Sequence, residues 1–142
     1  MKAVLVSILL LSSVVFCGFF AIFGVDITGH VFPFVGVGYS LESENFVATF
    51  GLTYDFKNPT WIFANSLRYF HEFSNVKLGM KLTAIFADRK ILYLVGPEVG
   101  YSFDLDFGKI YLGGRAMMTL PFGAVDEIKG PVPVIDLTWK SD

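Results

Sequence analysis

From residue 44 onward the sequence alternates, position by position, between large apolar side chains and small or charged ones. A period of two is the mark of β-strands whose two faces meet different environments, because successive side chains point to opposite sides of a sheet. Across 44–56 the even positions read Phe46, Ala48, Phe50, Leu52, Tyr54 and Phe56, against Val47, Thr49, Gly51, Thr53 and Asp55. The same reading gives strands over 61–73, 76–87, 91–104, 109–122 and 132–140, preceded by one over 25–42. Lys57-Asn58-Pro59-Thr60, Ser74-Asn75, Asp88-Arg89-Lys90 and Asp106-Phe107-Gly108 supply turns between them. No helical period appears after residue 24, so the expected class is all-β, with short connections joining antiparallel neighbours.

Charges within a strand share one face: Asp26 with Glu42, Arg68 with Glu72, Lys77 with Lys81, Glu98 with Asp104, and Asp136 with Lys140. The opposite face is nearly free of polar groups, with Asn65 and His71 as its main exceptions. A soluble barrel or sandwich would turn the aromatic face inward and the charged face to water. The charged face, however, is rich in Gly36, Gly38, Gly51, Gly79, Gly96, Gly100 and Gly113, and small residues suit a crowded interior. Inverted, the sheet becomes a barrel with apolar side chains outside and charged ones filling a narrow lumen. Spacing favours that inversion. The ten steps from Phe46 to Phe56 span roughly 33 Å, which at a tilt of about 35 to 45° projects to about 25 Å, the height of a transmembrane barrel's apolar band.

Composition removes other classes. A length of 142 residues is one domain's worth. Sixteen phenylalanines and only 17% charged residues leave too much apolar surface for a disordered or nucleic-acid-binding chain. The formal charge of −2 is scattered, without a like-charged run to fit a phosphate backbone.

The start of the chain reads as an address. Met1 and Lys2 precede an uncharged stretch from Ala3 to Val25, the order of a secretory leader. Residues 1–24 are therefore expected to be a signal peptide, cut after Gly24 or after Cys17, leaving a β-barrel domain over 25–142. An uncleaved helix over 3–24 is the alternative, since about 20 apolar residues suffice to cross a bilayer. Cys17-Gly18 also invites a lipoprotein reading, which bulky Phe16 just before the cysteine opposes. As the sole cysteine, Cys17 cannot form an intramolecular disulfide.

With leader, alternation, aromatic strand ends and phrases such as Gly96-Pro97-Glu98-Val99-Gly100-Tyr101-Ser102-Phe103 and Ile110-Tyr111-Leu112-Gly113-Gly114-Arg115-Ala116, the chain over 25–142 resembles the small outer-membrane β-barrel proteins of bacteria with double membranes. Where those barrels end on an aromatic residue, this sequence has Trp139 followed by Lys140-Ser141-Asp142. The resemblance implies an antiparallel up-and-down transmembrane β-barrel in the cell outer membrane, with the lipid bilayer and the outer-membrane insertion machinery as partners. Single-chain bacterial barrels use an even number of strands. Eight is thus the expected count, the eighth coming from a split of 25–42 near Phe32-Pro33 or from 123–128.

Under this reading Arg68, Lys81, Glu98 and Arg115 project into the lumen, where charges taken from water must be paired. Glu98 with Arg115 and either Arg68 or Lys81 is the expected ionic cluster, filling the interior of an eight-stranded barrel. Phe46, Phe56, Trp61, Phe73, Phe103, Phe122 and Trp139 are the expected aromatic girdle. His71, beside Glu72 and near Ser66 and Ser74, could be imagined in a hydrolase triad, but it shares the apolar face and Glu72 points the other way. Two histidines without His-x-His spacing give no metal site, and Gly36-Val37-Gly38 lacks the helix that a phosphate cradle needs. The expected function is non-enzymatic, without cofactors: a structural or weakly pore-forming membrane barrel. Its alternative is a soluble exported lipocalin-like barrel holding an apolar ligand.

Overall fold

The computed structural model describes residues 16–27, 31–56, 59–87, 90–120 and 131–141. Eight strands follow in order: β1 (Phe16–Ile27), β2 (Val31–Glu42), β3 (Phe46–Asp55), β4 (Thr60–Phe73), β5 (Val76–Ala87), β6 (Lys90–Leu105), β7 (Gly108–Thr119) and β8 (Val132–Lys140). Each lies antiparallel to the next, and β1 returns to β8 with Val25 opposite Ile135, which closes the sheet into a barrel. This is the expected all-β up-and-down barrel of eight strands. Closure leaves no sheet edge unpaired.

The source of the eighth strand corrects the sequence reading. It comes neither from 123–128, which lies outside the described residues, nor from a split near Phe32-Pro33. The segment 25–42 does contain two strands, but they divide at 28–30, and the first begins upstream at Phe16. The barrel therefore starts at Phe16, not at residue 25. Cutting after Gly24 would leave β1 only Val25–Ile27 and strip β2 and β8 of most of their pairing with β1, whereas cutting after Cys17 removes two residues of the strand. Residues 16–24 are likewise not part of a helix, and no helix among the described residues is long and apolar enough to cross a membrane.

The two ends of the barrel differ. At one, here called the tight end, the links are 43–45, Ser74-Asn75 and Asp106-Phe107, and the start of β1 lies near the end of β8. Two of these turns use left-handed backbone, Ser74 at φ 57° and Gly108 at φ 133°. At Gly108 a side chain would also strike the carbonyl oxygen of Lys140, so glycine is required twice over. The other end, the loop end, carries the links 28–30, 56–59, 88–89 and 120–131.

The alternation decides what lies inside. Phe19, Phe50, Trp61, Phe63, Leu82 and Leu137 all point outward, Trp61 with 61% and Phe63 with 58% of their surface exposed. Arg68, Lys81, Glu98 and Asp136 point inward and are largely buried. A soluble lipocalin-like barrel requires the reverse, with apolar groups lining the interior and charges in water, so that alternative is not favoured.

Inward glycines make room for a few large rings. A side chain at Gly100 or Gly113 would collide with Tyr111 and one at Gly24 with Phe34, while one at Gly38 or Gly51 would strike a neighbouring carbonyl oxygen first, that of Phe50 or Val37, and the Phe20 ring next. Small residues on this face are thus the complement of inward aromatics, and together they fill the narrow lumen.

Candidate functional site

Register brings the lumen charges to one level. Arg68 on β4 lies opposite Lys81 on β5, Glu98 on β6 opposite Arg115 on β7, and Asp136 on β8 opposite Gly113. Glu98 also follows a gap in the β6–β7 ladder, where Gly96 and Pro97 lack partners on β7. Proline has no N–H to give, so such a gap is expected beside it.

Glu98 is the hub. Its Oε1 accepts a hydrogen bond from the Tyr111 hydroxyl at 2.7 Å and meets Arg68 Nε at 2.6 Å. Its Oε2 lies 3.6 Å from Arg115 Nη1, which also pairs with Asp136 Oδ2. The contacts at Arg68 Nε, Arg115 Nη1 and Asp136 Oδ2 have the geometry of charge pairing rather than of linear hydrogen bonds. Thr138 donates to Asp136 Oδ1 at 3.4 Å, and the Arg68 guanidinium lies 4.6 Å from the centre of the Tyr111 ring. Side-chain exposure is 2% for Glu98, 7% for Arg115 and 0% for Asp136. Water is therefore not screening these pairs, and each charge depends on its partners.

Of the four residues anticipated for this cluster, Arg68, Glu98 and Arg115 come together. Lys81 is on the same level and 7% exposed, yet it forms none of the ion pairs among the described residues. Asp136 and Tyr111 were not anticipated as members. Their signal lay in the pairing of β7 with β8, which sets Asp136 across from Gly113 and beside Arg115.

Two chambers flank the plug, and Phe20, Ile22, Thr49 and Lys81 line both. Toward the loop end lies a space of about 200 Å³ lined by Phe34, Ile62, Ile85, Leu94, Met117 and Val134, with Lys81 and Arg115 also on its wall. Toward the tight end lies one of about 90 Å³, with Glu42, Lys77, Lys109 and Lys140 among its lining. There Lys140 pairs with Glu42 at 2.7 Å, and Lys77 sits 4.5 Å from the centre of the Phe70 ring.

Aromatic side chains gather on the outer face at both ends. At the tight end Phe46 packs on Tyr69 at 5.0 Å and Phe103 on Tyr101 at 4.7 Å, while Phe73 meets His71 edge-on at 4.7 Å. Trp139 lies there too, opposite Ile110. At the loop end Phe56 and Trp61 both pack against Tyr54, at 5.0 and 5.3 Å. Phe122 lies outside the described residues. His71 is held on the outer face by this contact, whereas Ser66 turns inward to Thr49 at 2.5 Å, so the two are not neighbours in a triad. Among the described residues no group of histidine, cysteine, aspartate or glutamate is arranged to hold a metal ion.

A scan against protein-family models finds no match, and a search of curated proteins finds none either. The solved structures do give one: a structure described as "De novo design of transmembrane beta-barrels" superposes with a TM-score of 0.58 at 9% identity, over 87% of this chain and 94% of the design. The fold is a closed eight-stranded antiparallel β-barrel, similar to that of a designed transmembrane barrel. At that identity the likeness extends to backbone architecture and not to side-chain function, and the lumen plug belongs to this barrel's own sequence.

Proposed function

We propose that this chain is an outer-membrane β-barrel with a structural, non-enzymatic role, whose lumen is held shut by the Glu98 plug. The observation that carries the reading is the combination of an aromatic, apolar exterior with a buried ionic network at mid-lumen. An exterior exposing this many large apolar side chains is unstable in water and satisfied in lipid. Uniformly short links at the end where the strand termini meet, and the one long link, 120–131, at the opposite end, match the periplasmic and external ends of such barrels. On this reading the bilayer and the insertion machinery are its partners, and the start of the chain acts as its export leader, cut after Cys17 rather than after Gly24.

Closure is tested in planar lipid bilayers. The refolded chain is expected to show no stepwise ion conductance, whereas Glu98→Ala, which unties Arg68, Arg115 and Tyr111 together, opens measurable steps. Stepwise currents through the unmodified barrel would replace the structural reading with the weakly pore-forming one.

A further inference from the structure

We infer that the loop-end chamber is a binding site for a small amphiphilic carboxylate, its head at Lys81 and its hydrocarbon body along Phe34, Ile85 and Met117. The charges at mid-lumen do not balance. Arg68, Lys81 and Arg115 supply three cations, and Glu98 and Asp136 supply two anions. Both carboxylates are already engaged, Glu98 by two arginines and Tyr111, Asp136 by Arg115 and Thr138. Lys81 is left buried between the two chambers, lining both, with no carboxylate in ion-pairing contact among the described residues. A buried amine keeps its charge only where a counter-charge meets it, so an anion seated against Lys81 would complete the site.

The chamber's other walls say what kind of anion. Beyond Lys81 and Arg115 they are mostly aliphatic and aromatic, and the one pair of hydroxyls with a mutual contact, Thr49 and Ser66, already satisfy each other. Asp26 and Asp55 stand at the chamber's far end and are also engaged. A bare inorganic ion would neutralise Lys81 but leave the apolar walls without contacts. An apolar cavity of about 150 Å³ accommodates a molecule the size of benzene. The 200 Å³ here therefore suits a single ring or a chain of about eight carbons carrying one carboxylate. Eight-stranded barrels with just this much interior space hold one small ligand elsewhere.

The inference rests on the closed barrel but not on its being impermeable. The test uses the full chain refolded into phosphatidylcholine nanodiscs, with octanoate as probe and ¹³C resonance shifts of C1, the head-group carbon of octanoate and of its analogues alike, as readout, corrected by empty discs. Octanol and octylamine share the tail without the anion. Octanoate is expected to bind saturably at one per barrel, and octanol at least about tenfold more weakly, as loss of a charge-assisted contact implies. Lys81→Met is expected to lower octanoate affinity to that of octanol while leaving octanol unchanged. Equal binding of octanol and octanoate by the unmodified barrel, or an octanoate affinity indifferent to Lys81→Met, overturns the inference without any need for a second variant. So does octanoate uptake no greater than that of empty discs. Conductance of the same refolded protein in planar bilayers separates the two claims: currents with octanoate binding intact overturn only the closed lumen, and a silent barrel without octanoate binding overturns only the chamber.

Discussion

The two faces of this one sheet follow opposite rules. Outside, side chains are large, apolar and interchangeable in kind: Leu82 lies between Leu67 and Val95 on neighbouring strands, and none of the three has a particular partner to satisfy. Inside, large and charged residues answer particular neighbours, Tyr111 to Gly100 and Glu98, Arg115 to Asp136, Phe34 to Gly24. The outer face fixes where the barrel is stable, which is a matter of solvent. The inner face fixes which barrel it is, because its pairs are specific in size and charge. Mutations should expose that difference as tolerance of shape outside and intolerance of it inside.

The largest effect is expected from breaking a charge pair within. Asp136→Ala leaves Arg115 with only the longer contact to Glu98, and unpairing a buried charge costs about 3 to 5 kcal/mol. Urea unfolding in lipid vesicles measures it, and combining Asp136→Ala with Arg115→Met should recover a good part of the loss. If the single substitution leaves the midpoint within error, the pair does not hold the lumen together. Next in size is a charge placed outside. Leu82 is midway along β5 on the outer face, and Leu82→Arg should destabilise by about 2 to 4 kcal/mol in lipid, the range for a mid-bilayer arginine on the lipid face of a barrel. Leu82→Met, which changes shape and not polarity, should be close to neutral in the same assay. An arginine tolerated at that position would reverse the assignment of inside and outside.

How much of this was readable in advance follows the same division. The outer face was legible strand by strand, since lipid-like surroundings demand one property repeated every second residue, and 44–56 or 76–87 display it without interruption. The lumen was legible in kind but not in detail. Arg68, Glu98 and Arg115 could be placed on one face, yet whether Arg68 or Lys81 reaches Glu98 depends on the stagger between strands, a quantity without a local sequence signal. Asp136 was hidden for that reason: its partner Arg115 is on another strand and its own strand offers only Lys140 on the same face. Strand β1 was hidden for a different one. Over 18–24 its inward residues are Gly18, Phe20, Ile22 and Gly24, as uncharged as the outward Phe19, Ala21 and Phe23, so the alternation vanishes there and hydropathy cannot distinguish this part of the strand from the core of a leader.

The smallest effect tests the comparison most directly, because it uses one residue type on both faces. Gly100 and Gly114 sit on neighbouring strands β6 and β7, Gly100 turned inward and Gly114 outward. A side chain added at Gly100 would run into the Tyr111 ring, while one at Gly114 would meet nothing within 4 Å. Gly100→Val must therefore push Tyr111 aside and loosen its hydrogen bond to Glu98, and overpacking of this kind costs about 1 to 3 kcal/mol. Gly114→Val adds a β-branched side chain to a strand on its open face, where it fits the pleated backbone and gains apolar surface, so stability should hold or rise slightly. Both are read from the same unfolding curve, alongside the near-ultraviolet dichroism of Tyr111's surroundings, which should change for the first and not for the second. Equal losses at the two positions would mean that the small residues are there for the backbone rather than for the rings, and the account of how the lumen is filled would have to be rebuilt around strand curvature.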